Sequence, residues 1–134
     1  MEKYKLEAAK NHLDTSIELF SDRKNPDFRN SIKESISAIE SLCKIICNKP
    51  NATLGEALKI IEKDGIVELH PALKEAYLKI YGYASDKDGI RHAMLDKSTV
   101  DLDDAKYMLV SSCAFINYLI AKSIKANIKL RSNK

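Results

Sequence analysis

Apolar residues recur at steps of three and four along most of the chain, which is the spacing of one face of an α-helix. The pattern predicts a first helix from about Tyr4 to Phe20 and a second from about Asp27 to Cys47. Pro26 ends the turn between them, because proline cannot continue a helix. Since this connection is short, the two helices are expected to form an antiparallel hairpin.

Three further helices follow from local signals. Thr53 with Glu56 three residues later is a capping box that opens a short helix. Pro71 suits the first turn of the next helix, where its missing N–H costs nothing. Asp101 is the predicted N-cap of the last helix, the longest and most apolar one. Its predicted inward stripe comprises Leu102, Ala105, Leu109, Cys113, Ile116, Ile120 and Ile124.

Composition favours helices over strands. The chain has only four glycines and three prolines and lacks a long alternating run of β-branched residues. We therefore predict an all-α fold, an up-and-down four-helix-type bundle with one extra short helix and about five helices in all. A length of 134 residues with 45% hydrophobic residues suits one core, so residues 1–134 are expected to form a single domain.

The net charge and the cysteines limit which cellular compartments and which classes of binding partner are expected. A net charge of +3 is too mild for wrapping duplex DNA but permits binding to RNA. No uninterrupted apolar run approaches the ~20 residues of a membrane span, so no membrane partner is expected. Cys43, Cys47 and Cys113 lie in apolar stripes and no signal peptide precedes them, which favours buried thiols in a reducing cytoplasm. Neither a metal nor a cofactor is expected, because no second ligand pair at zinc spacing follows the cysteines.

A polar stretch lies in the one long irregular segment, between Ala84 and Val100, and loops of this length are often functional. It gathers Asp86, Lys87, Asp88, Arg91 and His92 around Gly89. Histidine exchanges a proton near neutral pH and arginine binds phosphate through paired hydrogen bonds, a combination that suits RNA cleavage. In that reaction a base deprotonates the ribose 2′-hydroxyl, a cation stabilises the transition state, and no metal is required.

A structural role for the same stretch is the alternative. Arg91 and His92 could pair with Asp86, Asp88 or Asp101 and fix the loop against the bundle. Adjacent residues on a helix point about 100° apart. Arg91 and His92 would therefore converge on one phosphate only if the backbone is irregular or a second subunit contributes.

The polar side of the second helix supplies further candidates, namely Asn30, Lys33, Glu34, Ser37, Glu40, Ser41 and Lys44. Glu34 and Glu40 are six residues apart and are a poor acid–base pair within one helix. The serines of this helix are expected to permit close packing, and His12 is expected to be a partly exposed helix residue. The tyrosines Tyr77, Tyr81, Tyr83, Tyr107 and Tyr118 suit packing, or base stacking as in single-strand binders.

Several separated segments together resemble one family. In order they are residues 30–35 (NSIKES), 38–40 (AIE), 69–73 (LHPAL), 85–86 (SD), 89–93 (GIRHA), 105–108 (AKYM) and 115–119 (FINYL). The chain resembles the HEPN superfamily, and more narrowly the branch found in AbiJ-type abortive-infection proteins. The similarity spans about residues 4–122.

The resemblance implies a helical bundle that acts as a homodimer. Its members are metal-independent endoribonucleases of toxin and antiviral defence systems, or RNA-binding and accessory domains, often beside a second domain or partner protein. Arg91 and His92 match the family's motif in chemistry, although the family's nucleases separate these two residues and here they are adjacent. Glu34 or Asn30 matches the polar helper.

Two classes of function therefore stand. The first is an RNA-cleaving or RNA-binding homodimer, with Arg91, His92 and Glu34 as catalytic residues. In this homodimer Asn30, Asp86 and Lys87 would contact the RNA. The second is a non-catalytic dimerisation or protein-interaction module in which the Arg-His loop is structural. Nucleotide binding without cleavage is a minor third reading, since the chain has no phosphate-binding loop motif.

Overall fold

The structure, a computed structural model, describes residues 6–84 and 100–128. Those ranges contain five helices and no strand. The helices are α1 (Glu7–Ser21), α2 (Phe28–Cys47), α3 (Leu54–Lys63), α4 (Pro71–Ala84) and α5 (Leu102–Lys125). The prediction of an all-α protein with about five helices is confirmed.

Local capping chemistry sets most of the helix starts. The Asp27 carboxylate accepts a hydrogen bond from the backbone N–H of Asn30 at 3.0 Å and begins α2. Reciprocal capping boxes begin α3, at Thr53, and α5, at Asp101. Each of these side chains satisfies an N–H group that the helix itself leaves without a partner. The predicted N-caps of α3 and α5 are therefore confirmed.

The second helix is the centre of the bundle. Half of its twenty residues are buried, and it packs against each of the four other helices. Ile32, Ile39 and Leu42 are almost completely buried there. Burial of a side chain of this size stabilises the fold by about 1.5–3 kcal/mol.

The shorter helices are attached to this centre by polar contacts. The Glu40 carboxylate of α2 accepts a hydrogen bond from the backbone N–H of Leu54 at 3.0 Å, at the first turn of α3. Lys74 on α4 donates to the Glu62 carboxylate on α3, and the Lys74 side chain is only 11% exposed. This hydrogen bond raises the pKa of Lys74 above its ordinary value, so the ammonium is retained. Both contacts fix the direction in which α3 leaves α2 and meets α4.

The helices form two antiparallel pairs. Between α1 and α2, His12 lies beside Glu34 and Phe20 lies beside Phe28, so residue numbers fall along one helix while they rise along the other. The predicted hairpin is confirmed. Between α4 and α5, the Tyr77 ring stacks on Phe115 with 3.5 Å between ring centroids, while Tyr83 lines a cleft together with Asp104, so residue numbers again run in opposite directions.

The inward face of α5 differs from the predicted one. Leu102 and Ile124, both expected inside, are 48% and 65% exposed. The buried positions are Ala105, Met108, Ser112, Phe115, Ile116, Leu119 and Ser123. Because α5 carries apolar residues around most of its circumference, spacing alone did not identify the side that meets α2.

Candidate functional site

Four of the residues predicted to act on RNA lie outside the described residues. Arg91, His92, Asp86 and Lys87 belong to the segment 85–99. Glu34 and Asn30, the two other candidates, are described and lie on α2. The hypothesis about the Arg-His loop therefore stays a prediction, whereas the structure describes the surroundings of Glu34 and Asn30.

Glu34 forms a carboxylate–imidazole pair with His12. The Glu34 Oε1 atom lies 2.8 Å from the His12 Nδ1 atom, and the two side chains are 30% and 37% exposed. A carboxylate on Nδ1 orients the ring and favours the tautomer with the proton on that nitrogen. The Nε2 atom is then the acceptor, as in a histidine general base. The pair therefore has the composition of a proton-transfer site.

The sequence analysis did not identify His12 as the partner of Glu34. His12 was expected to be partly exposed, which is confirmed, but no contact was assigned to it. The signal was available in the hairpin, because a short turn centred on residues 22–27 brings residue 12 level with residue 34. Glu40, by contrast, bonds the first turn of α3, so the two carboxylates have separate roles.

Asn30 lies one turn before Glu34, and its side chain takes part in capping α2. Its Nδ2 atom donates to the Asp27 Oδ2 atom at 2.7 Å, while its backbone N–H donates to the other oxygen of the same carboxylate. The residue is exposed. Asn30 thus stabilises the start of α2, and its amide oxygen is the atom that could accept a further hydrogen bond.

Below the His12–Glu34 pair a buried serine network holds the two helices in register. The Ser16 hydroxyl lies 3.0 Å from that of Ser31 and 2.9 Å from that of Ser35. Ser16 also donates to the Ser31 carbonyl at 2.8 Å, and Ser31 donates to the Ser16 carbonyl at 2.9 Å. The expectation that these serines permit close packing is supported for Ser31 and Ser35, since both are fully buried.

The outward side of α5 is a continuous uncharged stripe. Its exposed members follow at steps of three and four along the helix: Tyr107, Val110, Ala114, Asn117, Ala121 and Ile124. Tyr107 is 62% and Val110 is 59% exposed. Over these residues the stripe is about 25 Å long, at 1.5 Å per residue.

The apolar character of α5 has a second reading. By length and composition alone this helix could cross a membrane, with a mean hydropathy of 1.3 over its most apolar window, although the sequence had indicated no such segment. Core helices of soluble proteins have the same length and composition. Since α5 buries one face against α2, packing in the bundle accounts for its inner side and leaves the stripe to be explained.

The thiols are not a reactive site. Cys43 and Cys47 are buried, as predicted, and Cys113 is half-buried. Burial raises the pKa of the Cys43 thiol far above its ordinary value, and the neighbouring Cys47 and Glu40 raise it further. The neutral thiol is a poor nucleophile and a poor metal ligand. Within residues 6–84 and 100–128, no three potential metal-binding side chains lie together.

The remaining histidine has a local role. The His70 Nδ1 atom accepts a hydrogen bond from the backbone N–H of Ala72 at 3.0 Å, at the first turn of α4. His70 thus satisfies a backbone N–H group at the start of α4.

Comparison of the chain with protein families, with curated proteins and with solved structures found no match.

Proposed function

We propose that the chain is a HEPN-like domain that acts on RNA as a homodimer. The sequence motif at Arg91 and His92 and the family resemblance motivate this proposal. The observation that supports it within the described residues is the uncharged stripe on α5, defined above by Tyr107, Val110, Ala114, Asn117, Ala121 and Ile124. A homodimer needs a self-complementary surface, and such a stripe can pack against its own copy.

The chemistry of the stripe suits a second copy of the chain. Val110 and Ile124 supply apolar area towards its two ends, and both are more than half exposed. Tyr107, at the edge of the stripe, also lines a cleft between α4 and α5 and stays outside the proposed contact. The small residues Ala114 and Ala121 permit close approach of two helix backbones. Two stripes related by a twofold axis would bury these uncharged residues against one another.

A dimer would also resolve the adjacency of Arg91 and His92. Adjacent side chains on a regular helix point about 100° apart, whereas two chains could together present arginine and histidine to the same phosphate. Arginine then stabilises the charge of the transition state, and histidine removes the proton of the 2′-hydroxyl. In this proposal Glu34 orients a histidine, and His12 is the one within its reach in the described structure.

RNA cleavage without added metal tests the proposal. Purified protein is incubated with single-stranded and structured RNAs in the presence of a chelator, alongside His92→Ala and Arg91→Ala. We expect a loss of about 10²–10⁴ in cleavage rate in His92→Ala, the size of a general-base contribution, with unchanged circular dichroism. His70→Ala is the matched control, because His70 only bonds the first turn of α4. Equal activity of His92→Ala and the parent protein would disprove the catalytic role.

The second candidate is a non-catalytic interaction module. The same stripe on α5 favours it, since a docking face needs no chemistry. On this reading the Arg-His loop is structural, so Arg91→Ala lowers the melting temperature or the oligomeric state and no RNA is cut. An unchanged melting temperature and oligomeric state in Arg91→Ala would count against the module.

The cellular setting follows from the same resemblance. A HEPN-like domain of the AbiJ type would belong to a bacterial toxin or antiviral defence system, beside a second domain or a partner protein. Three free thiols, two of them buried, support a reducing compartment such as the cytoplasm.

A further inference from the structure

A second surface feature lies where the end of α4 meets the start of α5. A cleft of about 240 Å³ is lined there by Ile80, Tyr83, Asp104, Tyr107 and Met108. Ile80 and Tyr83 belong to the last turn of α4, while the other three belong to the first two turns of α5. The antiparallel packing of the two helices therefore creates the cleft.

The lining combines two aromatic rings with one carboxylate. Tyr83 and Tyr107 are 38% and 62% exposed, so a ligand can reach the rings. Ile80 and Met108 make the remainder apolar. Aromatic rings stack on nucleic-acid bases, and this contact tolerates any base. The carboxylate of Asp104 is the polar group that could distinguish one base from another.

Asp104 can accept further hydrogen bonds beside the one that it accepts in the capping box. Its Oδ2 atom accepts from the backbone N–H of Asp101 at 3.2 Å in the capping box. A carboxylate has about four acceptor sites, and within residues 6–84 and 100–128 only the Oδ2 atom of Asp104 accepts a hydrogen bond. Burial raises the pKa of the Tyr83 phenol, and the carboxylates of Asp104 and Asp101 raise it further. The phenol is thus a neutral hydroxyl on a side chain that lines the same cleft as Asp104.

We propose that this cleft binds a guanine base of single-stranded RNA, stacked on the tyrosine rings and bonded to Asp104. Guanine presents two neighbouring donors, its ring N–H and its amino group, to the two oxygens of a carboxylate. Adenine and cytosine place an acceptor beside their amino group, and uracil flanks its one N–H with two carbonyls, so each of these meets the carboxylate with a repulsive neighbour. The site gives the proposed RNA-acting domain a base preference and rests on that proposed function.

Binding of mononucleotides to the intact protein tests the site without requiring cleavage. Guanosine 5′-monophosphate, the corresponding adenosine, cytidine and uridine monophosphates, and unphosphorylated guanosine are compared by ligand-observed NMR titration. We expect guanosine monophosphate to bind best, and guanosine to retain most of the affinity because the base makes the contacts. Equal binding of all four nucleotides, or binding that disappears with the phosphate, would overturn the proposal.

Two matched variants separate the site from helix stability. Asp104→Asn keeps one oxygen for the capping box, but it replaces the other oxygen by an amide NH2 group and removes the negative charge. It should therefore weaken guanosine binding roughly tenfold. Asp103→Asn removes the same charge from the same turn of α5 but does not line the cleft, and should leave binding unchanged. Tyr107→Ala should weaken binding of every base by about five- to tenfold through lost stacking.

Equal effects of Asp104→Asn and Asp103→Asn would show that Asp104 is only a capping residue. The outcome is independent of the cleavage test. Guanosine binding in a protein that cuts no RNA would retain the site and remove the nuclease, whereas cleavage without guanosine binding would do the reverse.

Discussion

Five serines are buried among α1, α2 and α5, and their hydroxyls fall into two chemically different sets. Ser16, Ser31 and Ser35 bond one another and the backbone between α1 and α2. Within the part of the chain that the structure describes, the hydroxyls of Ser112 and Ser123 on α5 have no partner. A buried hydroxyl without a partner loses its hydration and gains nothing in return, at about 1–3 kcal/mol.

Alanine substitutions should therefore have opposite effects in the two sets. Ser112→Ala removes a polar atom that lacks a partner, so we expect the free energy of unfolding to stay within about 0.5 kcal/mol or to rise by up to about 1 kcal/mol. Ser16→Ala removes a buried hydroxyl that donates to the Ser31 carbonyl and contacts the Ser31 and Ser35 hydroxyls, and should lower it by about 0.5–1.5 kcal/mol. Denaturant unfolding of both variants measures the difference. Equal destabilisation would mean that Ser112 has a partner in solution.

The His12–Glu34 pair allows a test that separates stability from activity. Both side chains are about one-third exposed, so Glu34→Gln should lower the free energy of unfolding by less than about 1 kcal/mol. If Glu34 orients a histidine for proton transfer, RNA cleavage in this variant should fall at least about tenfold. Glu40→Gln is the control, since Glu40 bonds the first turn of α3 instead. Glu34→Gln with full activity would make the pair a structural contact.

At the scale of elements, the sequence predicted helix limits better than helix faces. Thr53, Asp101 and Pro71 act through neighbours only a few residues away, so their patterns are sufficient to locate a helix start. The inward face of α5 depends instead on how it meets α2, and an apolar circumference carries no such information. The contact between His12 and Glu34 likewise depends on the register of a hairpin, which the composition of neither helix specifies.

The acidic capping residues predict how stability responds to low pH. Hydrogen bonds from Thr53 lower the pKa of Glu56 below its ordinary 4.5, and those at Asp104 lower that of Asp101 below 3.8. A lowered folded-state pKa contributes stability that is present above the ordinary pKa and is lost as pH falls through the folded value. The free energy of unfolding should therefore decrease below about pH 4.5.

One substitution isolates the contribution of Glu56. Glutamine at this position keeps an oxygen that accepts from the Thr53 N–H but cannot be protonated in this range. We expect Glu56→Gln to show a smaller loss of stability between pH 6 and pH 3 than the parent protein, measured by urea unfolding. Glu18→Gln, an exposed position on α1, should keep the parent's profile. Identical profiles for all three proteins would exclude a contribution from the cap.

At the scale of the whole molecule, α5 is apolar on both its inner and its outer side, and among the described residues it packs against other helices on the inner side. α5 meets α2 on its inner side, while the stripe on its outer side offers an uncharged surface about 25 Å long. If a second copy covers that surface, Val110→Glu should convert the dimer to a monomer, because a carboxylate from each chain would be buried within the interface. Ile17→Glu, which places the same charge on an exposed apolar position of α1, should stay dimeric.

Dimerisation and activity should then depend on concentration together. If arginine and histidine from two chains act on one phosphate, the cleavage rate per chain should fall steeply on dilution through the dimer dissociation constant, and the melting temperature should fall with it. Light scattering, melting and RNA cleavage are measured over the same dilution series, with Val110→Glu as the monomeric reference. A cleavage rate per chain that stays constant while the dimer dissociates would show that one chain holds a complete site. The uncharged stripe on α5 would then bind a second copy without contributing to catalysis.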